Sequence, residues 1–148
     1  MVNKIEELLT GLVSGQHEVE KDFEFHTPDS TEDSESFKDD ILIIFDEYSI
    51  SCNVEWSYTR VKGLKGDRLT PNDPDDVILD YIDIDDFEFF VGEDEQDINL
   101  NEHPKLRKIF LTYIIELLKD GYVDNVSPNV YKHYLKESKI LKFKDFIK

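Results

Sequence analysis

From Tyr48 to Tyr58 the chain alternates with period two: Ile50, Cys52, Val54, Trp56 and Tyr58 share one parity, with polar residues between them. Alternation of that length fits a strand with one buried face and fits no helix, whose apolar positions recur every three or four residues. The continuous apolar run Ile41 to Phe45 precedes it and reads as a central strand, with Asp46-Glu47 at a turn or bulge between the two. Upstream, His17 to His26 alternates as well. Val19, Phe23 and Phe25 point one way and Glu18, Glu20, Asp22 and Glu24 the other, which predicts a half-buried strand with an acidic outer face. Downstream, Val77 to Ile84 and Asp86 to Val91 read as two further strands. Between these segments, Thr27 to Asp40 is rich in Ser, Thr and carboxylates and predicts an exposed loop. Val61 to Asp76, with Arg60, Lys62, Lys65 and Arg68, predicts a long connection holding the one basic patch of an acidic region.

The period changes near both ends. Ile5, Leu8, Leu9 and Leu12 recur at helical spacing, and Asn3 with Glu6 stands in the place of a capping box. Between Asn101 and Asp120, Leu106, Ile109, Phe110, Tyr113, Ile114, Leu117 and Leu118 make a broad apolar stripe, opened by Pro104 and stopped by Gly121. A second helix begins near Ser127-Pro128, and Ile140 to Ile147 leans to helix. Strands followed by helices predict an α+β fold. The expected form is an antiparallel sheet of four to five strands, with an N-terminal helix and two to three C-terminal helices packed on one face. It reads as a single domain over 1–148, strand-rich and acidic over 1–100, helical and mildly basic over 101–148.

Charge is the other strong signal. Asp and Glu number 34 against 17 Lys and Arg. Residues 105–148 hold 10 basic and 5 acidic residues, whereas residues 1–104 hold 7 and 29, a net of −22. Such a body repels nucleic acid and anionic membrane and attracts basic surfaces. No apolar run nears the ~18 residues that cross a bilayer, and no signal-peptide pattern opens the chain. Cys52 is the single cysteine, so no internal disulfide forms; a reducing cytoplasm is expected.

Residues 73–97 concentrate the acid. Asp73, Asp75, Asp76, Asp80, Asp83, Asp85, Asp86, Glu88, Glu93, Asp94, Glu95 and Asp97 occur there with no Lys or Arg. An ordinary soluble face mixes signs, because like charges repel. These twelve residues, with the loop 29–40, are the expected partner-binding surface. A compact chain of this length is about 40 Å across, and a duplex that long carries on the order of 24 charges, the magnitude of the net −22. Two other readings stand beside docking: charge that serves solubility in a housekeeping or assembly protein, and a divalent-cation binding module. The calcium-loop order fails, since from Asp97 the glycine position is Glu102 and the final glutamate position is Lys108. No phosphate-cradling glycine loop, nucleophile elbow or zinc-protease pair is present, so neither an enzyme nor a cofactor is expected. Tyr131 and Tyr134 back a solvated helix face or form a homodimer seam.

Val54-Glu55-Trp56-Ser57-Tyr58, Pro71-Asn72-Asp73-Pro74 and Val77-Ile78-Leu79 resemble segments of small phage-encoded proteins, and the acidic bias resembles phage anti-restriction proteins that imitate DNA. That resemblance implies an inhibitor acting in the host cytoplasm. Its partner would be a basic, DNA-binding or DNA-processing component of a defence system of restriction, BREX or CRISPR type. It carries no residue-level site. Direct contact with nucleic acid or membrane is not expected.

Overall fold

The computed structural model describes residues 2–63 and 75–133. Helix α1 (Val2–Val13) buries Ile5, Leu8, Leu9 and Leu12, the four positions its periodicity marks. The helix already includes Val2, so Asn3 lies inside the first turn and the expected capping box is not formed. Strands β1 (Glu20–Lys21), β2 (Ser34–Phe45), β3 (Tyr48–Val61), β4 (Asp76–Val91) and β5 (Asp94–Gln96) follow. A 3-10 turn at Leu100–Glu102, α2 (Pro104–Lys119), β6 (Asn125–Val126) and α3 (Pro128–His133) complete the described chain. Lys65, Arg68, Asp73, Tyr134 and the expected helix at 140–147 lie outside the described residues.

The fold is α+β, as the change of period implies, but the sheet is mixed rather than purely antiparallel. Its order is β1-β2-β3-β4-β5, every neighbour antiparallel, with β6 running parallel to β4. A parallel neighbour needs a long crossover, and β5 and α2 supply it. Gly121, at φ 107, turns the chain after α2. Asp124 N–H then donates to Val77 O and Ser127 N–H to Leu79 O, each at 2.8 Å. Asn125 Nδ2 holds both oxygens of Asp76, at 2.9 and 2.8 Å. Two residues of strand leave too short a pattern to read from sequence.

Three other expectations change. The loop over 27–40 is a strand from Ser34 onward, laddered on β3 from Ser34↔Thr59 to Phe45↔Tyr48. Pairing with the strongly patterned β3 overrides the polar composition of that stretch. Conversely, only Glu20–Lys21 of the expected 17–26 strand pairs, although its parity survives: Phe25 is buried and Glu18, Glu20, Asp22 and Glu24 are exposed. The two strands expected at 77–84 and 86–91 are one, β4, interrupted by two bulges. Asp80 is extra between Ser57↔Tyr81 and Tyr58↔Leu79; Asp86-Phe87 oppose Cys52 alone, with Asp86 at φ 54. Each bulge flips the parity, so the inward residues run Val77, Leu79, then Ile82, Ile84, then Phe89.

Both hairpins close on two residues. Asp46 (φ 53) opens the β2–β3 turn and Gly92 (φ 63) the β4–β5 turn, left-handed positions that Asp tolerates and Gly favours. A single buried cluster joins α1, the inward positions of β2, β3 and β4, and Leu106, Phe110, Leu111, Ile114, Ile115 and Leu118 of α2. Trp56 and Tyr58 are fully buried in it, as their parity predicts. Trp56 is ringed by Phe37 at 5.0 Å and Phe25 at 6.3 Å between centroids. Among the described residues no helix is long and apolar enough to cross a membrane.

Candidate functional site

Alternation that sends Ile50 to Tyr58 inward sends their neighbours to the opposite face, and register decides what meets there. Across β2, β3 and β4 that face reads in rows: Ile44–Ser49–Phe90, Leu42–Ser51–Glu88, Asp40–Asn53–Asp85 and Lys38–Glu55–Asp83. On the flanks, Glu20 sits opposite Ile44 and Glu95 opposite Phe90, and Asp22 N–H donates to Leu42 O. At the second bulge Asp86 accepts from Asn53 Nδ2 at 2.9 Å, which keeps its carboxylate over the same face. A shallow depression of about 570 Å³ opens here, lined by Asp40, Ser51, Asn53, Asp86, Glu88 and Glu95 among others. It spans four strands. Lys38 is the one cation in the four rows.

The expected site residues divide into two groups. Asp75, Asp76, Asp80, Asp83 and Asp86 are held by the fold. Asp75 accepts from Gly63 N–H at 2.9 Å and faces Lys62 at 3.7 Å. The Gly63 hydrogen bond, then the Lys62 and Arg60 charges, hold its carboxyl below the usual range. Asp76 pins β6 through Asn125. Asp80, extra at the first bulge, accepts from Ser57 Oγ at 2.7 Å and from Thr59 Oγ1. Asp83 pairs with Arg107 of α2 where β4 has neither β5 nor β6 beside it.

The other group consists of Asp85, Glu88, Glu93, Asp94, Glu95 and Asp97. Among the described residues their carboxylates show no ion-pair partner. Asp85 and Glu88 lie on the outer face; Glu93, Asp94 and Glu95 crown its β4–β5 end. There Gly92 N–H donates to Glu47 O, which brings the acidic Asp46-Glu47 turn alongside. Asp73 is outside the described residues.

The stretch 29–40 does not form the free acidic loop expected of it. Asp29 closes a turn through Thr31, whose N–H and Oγ1 lower its pKa, and Glu35 accepts from the Tyr58 hydroxyl at 2.5 Å. Asp33 lies 3.6 Å from Lys62. Asp39 points inward and is 5% exposed. It accepts from Trp56 Nε1 at 2.9 Å, from the His26 backbone N–H at 3.2 Å and from His26 Nδ1. That network fastens residues 25–26 to β2 and satisfies a buried indole. From this stretch Asp40 joins the outer face.

Asp40 lies within the expected stretch 29–40, whereas reading the sequence by its densest acid missed Glu55, Glu20 and Asp22, and missed Leu42, Ile44 and Phe90 between them. Strand parity is the signal that finds them, since Asp40, Leu42 and Ile44 alternate with the inward Ile41 and Ile43. Beneath this face, Cys52 is 3% exposed. Burial, reinforced by the Asp40 charge, pushes its thiol far above the usual range, so it stays protonated. Among the described residues no three His, Cys, Asp or Glu side chains are grouped to hold a metal ion. Comparison with known family models, curated proteins and solved structures gives no match to this chain.

Proposed function

We propose that this chain is a non-enzymatic binding protein whose acidic sheet face occludes a basic surface on a nucleic-acid-handling protein. In this reading the helices close one face of the sheet and leave the other for the partner. The observation that carries it is the row structure of that face, where Asp40, Asp86, Glu88 and Glu95 line one depression and Asp85 stands in the row of Asp40. Opposed potentials speed encounter, and apolar contacts within the patch supply lasting affinity.

Charge density favours occlusion over close imitation of DNA. The outer carboxylates from Asp83 to Glu88 occupy about 17 Å of strand, a length over which a duplex carries on the order of 10 charges. Asp40, Glu55, Asp83, Asp85, Asp86, Glu88 and Glu95 supply fewer. Arg107 neutralises Asp83, and Lys38 stands opposite Glu55. In this reading, which follows the resemblance of the acidic bias to phage anti-restriction proteins, the partner belongs to a bacterial defence complex of restriction, BREX or CRISPR type, met in the host cytoplasm.

The test is capture from host extract by the full chain and by the D40N/D85N/E88Q/E95Q variant. The expected partner is a nucleic-acid-binding protein retained by the natural chain. It is released by added duplex DNA or raised salt, and lost with the variant. Equal retention by both chains overturns the reading. One observation favours the solubility reading instead: Asp75, Asp76, Asp80, Asp83 and Asp86 already hold the fold together. That reading expects the fourfold variant to keep its biological function.

A further inference from the structure

Leu42, Ile44 and Phe90 are half-buried, yet they belong neither to the core nor to the side chains packed on it. Register brings them together on the outer face. One row crosses β1 to β5 and reads Glu20, Ile44, Ser49, Phe90, Glu95. The next reads Leu42, Ser51, Glu88, with Asp22 fastened beside Leu42 through its N–H. Ile44 and Phe90 stand two strands apart, about 10 Å, and Ser49 between them leaves open the space that a large side chain there would fill. The result is a notch with apolar walls, Leu42 and Ile44 on β2 and Phe90 on β4, over a serine floor.

Carboxylates surround the notch. Glu20 and Asp22 lie on its β1 side, Glu88 and Glu95 on its β4–β5 side, and Asp40 and Asp85 at the end nearer the second bulge. Among the described residues none of these six shows an ion-pair partner. A row that runs acid, apolar, serine, apolar, acid selects its occupant by two properties at once. The centre takes a large apolar side chain, and the rim takes cations on both sides of it. A second copy of this chain fails the charge condition, since it would bring another acidic rim against this one.

We propose that the notch receives one large apolar or aromatic side chain of a partner protein, flanked in space by lysine or arginine that pair with the acidic rim. The inference rests on the binding reading above and names the partner's chemistry: a basic surface in which an apolar side chain projects among the cations. Binding energy concentrates in such anchors when polar contacts ring them. Charge then governs the rate of encounter, and the filled notch governs how long the complex lasts.

The experiment titrates the full chain with a short synthetic peptide of alternating Lys and Ser around one central Phe, and with a twin that has Ser in place of that Phe. Amide NMR of the chain reads site and affinity together. The two peptides carry equal charge, so their difference isolates the anchor without altering the protein. Expected is binding at least about threefold tighter with the Phe, from partial burial of its ring, with shifts at Leu42–Ile44, Ser49–Ser51 and Glu88–Phe90. A full-length Ser49→Leu variant, which fills the notch from its floor, loses that advantage and keeps the charge-led binding of the twin. The proposal is overturned by an advantage below about threefold, by one that Ser49→Leu leaves intact, by shifts confined to the groove at Thr10, Val13 and Ile109, or by shifts that track dissociation of a dimer. The twin judges the underlying reading separately. Equal affinity of the twin for the natural chain and for the D40N/D85N/E88Q/E95Q variant sinks the charge-led face itself. A twin that prefers the natural chain, with no gain from the Phe, sinks the anchor alone.

Discussion

Removing the Asp39 carboxylate tests whether one buried acid orders the β2 edge of the fold. Asp39 is 5% exposed and Trp56 is fully buried, so water cannot replace the acceptor lost to the indole. A buried donor left unpaired costs about 1–3 kcal/mol. Loss of the charge-assisted bonds from His26 adds to this, and relief from burying a charge offsets part of it. Asp39→Ala is therefore expected to destabilise by about 2–4 kcal/mol.

Asp39→Asn keeps an oxygen toward Trp56 and the His26 N–H and turns its NH2 toward His26 Nδ1. It should cost only about 1 kcal/mol, the difference between a charged and a neutral acceptor. Urea unfolding read by fluorescence is a direct assay, because Trp56 is the sole tryptophan. In a double-mutant cycle with Trp56→Phe, which deletes the N–H and the fluorophore together, all four chains are followed by far-ultraviolet circular dichroism, and the expected coupling is about 1–2 kcal/mol. A coupling below about 0.5 kcal/mol, or an Asn variant no better than Ala, would refute the network as the source of order.

Further predictions follow from single features. Cys52 should resist iodoacetamide in the folded chain and react only as urea unfolds it, since burial and the Asp40 charge keep it a protonated thiol. Gly92→Ala should cost about 1 kcal/mol in urea unfolding, because φ 63 places its Cβ in a strained backbone region even though the space around it is open. Burial raises the phenols of Tyr58 and Tyr113, with the Glu35 bond adding at Tyr58. Their stabilisation is complete below about pH 10 and lost as pH climbs through the raised values, which ultraviolet absorbance of phenolate during alkaline unfolding will follow. Asp29 and Asp75 are lowered, so their contribution is present above about pH 4 and is lost as pH falls through the lowered values; urea midpoints across that range check it.

Much of the inside and outside of this molecule is written locally. Period two in β3 sends Trp56 and Tyr58 inward, and helical spacing buries Ile5, Leu9, Phe110 and Ile114, because each pattern depends only on neighbours along the chain. The acid excess and the single thiol are likewise visible without coordinates. What tertiary structure alone decided is which carboxylates are neighbours. Two bulges flip the parity of β4, so no simple alternation assigns Asp80, Asp83 and Asp86 to a face. Pairing between residues from 13 to 49 apart brings Asp40 beside Asn53 and Asp85, commits Asp76 to β6, and turns Asp39 into the core. Side-chain direction is a property of the strand, whereas register is a property of its partners; the acidic face is made by register.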